Sequence, residues 1–191
     1  MNETAIRWSG LLLIGGGALF AVAVGRISLN PVVGQALSPS NSLFLLGAAV
    51  LLLVGLPGMY ARHAAAAGSL GFAGFALLEA GLVLVVMVAS TPILYPTLKV
   101  PTSEHPVLFF LGVALVLGLV LTSIATLQAR VFPSWSGLLL IAATAGFFFS
   151  FFIAEFLPPS AGQVGSAFFG VVLGLGLTWA GFFMWTRPVA P

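Results

Sequence analysis

Apolar residues along this chain run in long continuous stretches, and charges, prolines and polar clusters gather between them. Crossing ~30 Å of hydrocarbon takes a helix of about 20 residues at ~1.5 Å each. Six stretches have that character: residues 8–24, 42–60, 69–89, 107–127, 135–156 and 165–185. Helix breakers stand where their ends are expected, at Asn30-Pro31, Pro57-Gly58, Thr91-Pro92, Tyr95-Pro96, Pro133, Pro158-Pro159 and Pro188. A membrane β-barrel would show alternating segments of about 10 residues instead. Continuous runs rich in Leu, Val, Gly and Phe predict helices, each satisfying its own backbone polar groups.

The first stretch has a second reading, because Arg7 precedes an apolar run that reaches Ala21-Val22-Ala23, as in a secretory signal. Its recurrence further along favours a retained span. Trp8-Ser9-Gly10-Leu11-Leu12-Leu13-Ile14 returns unchanged as Trp135-Ser136-Gly137-Leu138-Leu139-Leu140-Ile141. Leu43-Phe44-Leu45-Leu46-Gly47 is matched by Leu108-Phe109-Phe110-Leu111-Gly112 and echoed by Phe168-Phe169-Gly170. Odd-numbered spans then resemble one another, as do even-numbered ones. The predicted architecture is one all-α transmembrane domain over 1–191, six spans arranged as three tandem two-helix hairpins about an axis along the membrane normal. In the middle hairpin Ser69-Leu70-Gly71 replaces Trp-Ser-Gly.

Orientation follows from Lys and Arg. Six spans put Arg7, Arg62, Arg130 and Arg187 on one side and Arg26 and Lys99 on the other, so both termini are expected in the cytoplasm. Trp8, Trp135 and Trp185 fall at that same boundary, where indole rings favour the headgroup level. A bacterial inner membrane is the expected location.

Composition agrees with a membrane protein and removes other classes. Of 191 residues, 60% are hydrophobic and 5% charged, against about 25% charged in a soluble domain; mean hydropathy is +1.20. A water-soluble enzyme, a disordered segment and a nucleic-acid partner are excluded together. The pI near 9.7 reflects six basic against four acidic residues and marks no basic patch. Cysteine is absent, which removes thiolate chemistry and Cys-ligated metals. Aspartate is absent too, leaving Glu3, Glu79, Glu104 and Glu155 as the carboxyl groups.

Glu79 is the one charged-type residue well inside a predicted span. It lies ten residues in from Ser69, or ~15 Å, near the bilayer midplane. Its neighbours at three and four residues are Phe75, Ala76, Leu82 and Val83, so its own helix offers no partner. A charge at that depth costs at least ~2.5 to 3.5 kcal/mol, and no Lys or Arg shares the level, so a protonated Glu79 facing protein or water is expected. The same depth on other spans holds Gly15-Gly16-Gly17, Thr122, Ser123, Thr144 and Thr178. This layer is small and polar. Thr144 and Thr178 are the expected hydrogen-bond partners of Glu79, making a proton or ligand site or, in the structural alternative, interhelical glue.

On the outer side, Lys99, Glu104 and His105 share a loop and Glu155 ends the fifth span, a second candidate site for a metal, a proton or simply solvent. His63 and His105 fall on opposite membrane faces and cannot both ligate one haem. Gly170-Val171-Val172-Leu173-Gly174 is a GxxxG that permits close helix packing, within the chain or between copies. Phe147-Phe148-Phe149, Phe151-Phe152 and Phe182-Phe183 offer surfaces to lipid, to packing or to an apolar ligand.

No nucleophile or acid–base pair converges at membrane depth, and the interior offers few groups to line a polar solute path. A non-catalytic integral protein is therefore the leading expectation. It would be a subunit of a larger membrane complex, a homo-oligomer, or a binder of lipid, quinone, carotenoid or another apolar ligand. The alternative is a small transporter or channel coupling protons through Glu79.

Overall fold

A computed structural model describes residues 2–29, 38–95, 106–130, 132–149, 156 and 158–187, and their regular structure is helical throughout. Helix α1 spans Glu3–Leu29. A helical run over Pro39–Leu94 is broken at Gly68 (φ 56°, ψ −153°) into α2 (Pro39–Arg62) and α3 (Ala66–Leu94). Then come α4 (Pro106–Ala129), α5 (Ser134–Phe148) and α6 (Pro159–Thr186). Five of these, α1, α2, α3, α4 and α6, are long and apolar enough to cross a membrane, as in a multi-pass membrane protein. The described part of α5 has 15 residues, or ~22 Å, and the rest of the predicted fifth span, 150–155, lies outside the described residues.

Pro57-Gly58 and Thr91-Pro92 do not end helices, contrary to the expectation from sequence. Pro57 and Pro92 both sit inside the helical run. Proline costs one backbone hydrogen bond and a clash with the preceding turn, which a long helix with an otherwise complete ladder tolerates in a membrane. Gly58 serves packing: a Cβ there would strike the Ser9 side chain of α1.

The reversal falls ten residues later. A straight helix would hold Tyr60 and Phe75 ~22 Å apart, yet their rings lie 5.2 Å apart between centroids. Gly68 supplies the bend in a backbone region that essentially only glycine adopts, and open space surrounds its Cα. Backbone strain alone therefore opposes a side chain there. Gly68→Ala is expected to cost about 1–3 kcal/mol, measured as a lowered thermal midpoint in detergent, with the helical circular-dichroism signal retained. Elsewhere ends are set conventionally. The Ser38 hydroxyl accepts from Asn41 N–H at 3.3 Å ahead of Pro39, and Arg130 closes α4 in the left-handed region at φ 51°.

Neighbouring helices run antiparallel. Gly16 of α1 meets Leu52 of α2 and Gly55 meets Leu13; Gly74 of α3 meets Thr122 of α4 and Gly118 meets Leu78. Gly146 of α5 meets Phe169 of α6, while Gly10 and Gly17 of α1 meet Gly181 and Gly174 of α6. The last pairing joins the first helix to the last and is more extensive than the packing of α1 on α2 or of α3 on α4. Leucines fill the centre, with Leu52 and Leu56 facing Leu78, Leu82, Leu115, Leu119, Leu173 and Leu177 around a void of about 30 Å³. That volume could hold one water, but the apolar lining offers it no partner. Between helices already in lipid, burying leucine on leucine gains little, so close van der Waals contact at the glycines decides the packing.

Candidate functional site

Glu79 sits midway along α3, half-buried, on the flank between the packed face and the outward residues Phe72, Ala76, Val83 and Met87. Among the described residues it makes no hydrogen bond or ion pair, and it lines none of the described cavities. Its expected partners are engaged elsewhere. The Thr144 hydroxyl donates to Leu140 O at 2.8 Å and lies 3.4 Å from Ser123 Oγ. The Thr178 hydroxyl donates to Gly174 O at 2.8 Å and stands 3.5 Å from Ile14 O, a distance at the edge of hydrogen bonding. The structure thus joins Thr144 to Ser123 across α4 and α5 and sets Thr178 in the α1–α6 seam, and it brings neither to Glu79. Equal depth in the bilayer was legible, but helix rotation was not. Thr122 is buried against α3 with no partner for its hydroxyl among the described residues.

The outer-loop candidates Lys99, Glu104, His105 and Glu155 lie outside the described residues. Among those described, no group of three or more acidic or histidine side chains could hold a metal.

The bundle instead holds a cavity of about 310 Å³ at the end away from the termini. Five helices build it: Phe20 and Val24 of α1, Leu45 of α2, Val88 of α3, Leu111 of α4 and Gly170 of α6 are among its walls. Ser28 and Ser166 bring the polar side chains among the described lining residues, one from each side of the α1–α6 seam. Helix α5 contributes no described wall residue; it packs between α4 and α6. Nothing in the sequence spacing marks Ser28 or Ser166, since their only common feature is a place near the outer end of a predicted span.

Charges frame the two ends. At the cavity end Arg26 Nε donates to Asn41 Oδ1 at 3.0 Å, and its guanidinium lies 5.2 Å from the Phe44 ring centroid, tying α1 to α2. At the opposite end the Arg62 guanidinium lies over Phe132 and Phe183, and Arg187 lies over Phe183 at 4.8 Å. Trp8 and Trp185 meet edge to face there at 6.3 Å beside the Glu3–Arg7 ion pair. Chemically, the described site is a hydrocarbon-lined chamber with two hydroxyl groups and no acid–base pair. Compared with known proteins, the chain matches no family model, no curated protein and no solved structure.

Proposed function

We propose that this is a non-catalytic integral membrane protein that binds an apolar molecule, or the chain of a lipid, in the cavity between α1, α2, α3, α4 and α6. The observation that carries the reading is the cavity itself. Its volume, about 310 Å³, falls within the range of small-molecule sites, about 300–1,000 Å³. Apolar walls with hydroxyls, among the described residues, only at Ser28 and Ser166 suit a hydrocarbon body ending in a small uncharged polar group, such as a quinone, a terpenoid alcohol or a lipid chain near its ester. A charged solute would lose its hydration without compensation. Proton-coupled transport through Glu79 has less support, because that carboxyl group lines none of the described cavities.

The same proposal includes six crossings built as three tandem hairpins, with both ends in the cytoplasm of a bacterial cell and the protein serving as a subunit of a membrane assembly. One contact pattern supports the repeat. Gly10 and Gly137 are equivalent in the two Trp-Ser-Gly copies, and each packs on the even-numbered helix that precedes it around the ring, Gly10 on α6 and Gly137 on Leu127 of α4.

Purification in mild detergent followed by mass spectrometry of the organic extract is expected to find one apolar species at a fixed ratio to protein. Val88→Phe puts a ring into the cavity and should remove that species while leaving the melting temperature unchanged or raised. An extract of bulk lipid alone, identical for both proteins, would sink the reading.

A further inference from the structure

Glu79 stands near the middle of a stripe that runs along the flank of the outward face of α3. Phe72, Ala76, Glu79, Val83, Val86 and Ser90 recur at alternating spacings of four and three residues, and all are exposed or half-buried in the single chain. That spacing is the seam along which two helices wind together. A glutamate side chain cannot reach the membrane surface from this position, since ten residues separate it from the bend at Gly68 and fifteen follow it in α3, or ~15 and ~22 Å of helix. Within its own chain the carboxyl group has no hydrogen-bond partner among the described residues. An unpaired carboxyl group in hydrocarbon is unfavourable in either protonation state, which favours a partner supplied across the exposed flank of α3.

We propose that α3 packs along this stripe on α3 of a second copy, with the two protonated Glu79 carboxyl groups hydrogen-bonded to each other in the seam. Two copies inserted the same way are related by an axis along the membrane normal, so each residue on the seam faces its own counterpart at the same depth. A second copy therefore supplies a matching donor and acceptor at the matching level. Any other membrane partner would need a polar group of its own at that depth. Ala76, one turn before Glu79, presents little bulk and lets the backbones approach.

The chain contains no cysteine, so single cysteines report cleanly. Oxidation of native membranes carrying Ala76→Cys, or separately Val83→Cys, is expected to yield a covalent dimer with twice the mass of the chain. Val50→Cys, on the exposed face of α2, should yield none. Adding Glu79→Gln to Ala76→Cys should preserve the cross-link, because the carboxamide both donates and accepts. Adding Glu79→Leu should lower it about tenfold while the purified monomer melts as before. The proposal is overturned if neither seam cysteine cross-links above Val50→Cys, if Glu79→Leu leaves the dimer intact, or if the product has the mass of a different partner.

Discussion

Gly17→Val is expected to lower the stability of the bundle by about 3 kcal/mol, the upper end for overpacking, read as a large fall in the thermal midpoint in detergent. A Cβ at Gly17 would lie 2.6 Å from Gly174 O and 2.7 Å from Thr178 N. Both are backbone atoms, so no rotamer change relieves the clash and the two helices must separate. The contact repeats two turns towards the termini, where a Cβ at Gly10 would lie 2.7 Å from Gly181 O. Separation also removes the close van der Waals contact that joins the first helix to the last, for which lipid offers no hydrophobic substitute. Gly25→Ala is the control on the same helix. Its Cβ would meet Val171 at 3.8 Å, an ordinary contact, and the midpoint should barely move. Equal effects of the two substitutions would contradict the α1–α6 seam.

Gly118→Val should be comparably damaging and should also empty the cavity. A Cβ at Gly118 would lie 2.5 Å from Leu78 N and 2.8 Å from its Cα, so α3 and α4 can accommodate it only by moving apart, at a cost again of about 3 kcal/mol. Leu115 and Leu111, one and two turns away on α4, form the cavity wall that faces Val85 and Val88 of α3. Widening that seam opens the chamber to lipid. The expected outcome is loss of both the thermal midpoint and the retained apolar species, whereas Val88→Phe loses the species alone. Retention of the species in a destabilised Gly118→Val protein would place it somewhere other than this chamber.

Glu79 shows how far the residues alone carry a site. Its depth follows from counting along an apolar run, and Thr144 and Thr178 were matched to it by the same count. Depth is one coordinate of three. Each threonine hydroxyl found the carbonyl four residues back on its own helix, the bond always within reach of a helical threonine, and the rotation of α3 turned Glu79 towards the outside. The chamber was likewise invisible, because its walls come from five segments scattered from Phe20 to Gly170, and no local pattern records which faces meet.

The glycines divide along the same line. A GxxxG at Gly170 and Gly174 could be read directly, but not its use within the chain, where Gly174 meets Gly17 and Gly170 meets Val24. Proline was a poor guide to the reversal between α2 and α3, because a long apolar helix tolerates one missing hydrogen bond at Pro57. The turn was set by Gly68, whose backbone other residues resist.

By itself the sequence determined the membrane character, the helical class and, within a few residues, most of the apolar segments. These follow from local physics: hydrocarbon selects apolar side chains, and a backbone without water must satisfy its hydrogen bonds within one segment. Only the tertiary structure decided the helix rotations, the glycine seams, the partners of Thr144 and Thr178 and the chamber between five helices. Those depend on which surfaces of distant segments touch, and in a chain this uniformly apolar almost every face of a helix is equally free to turn inward.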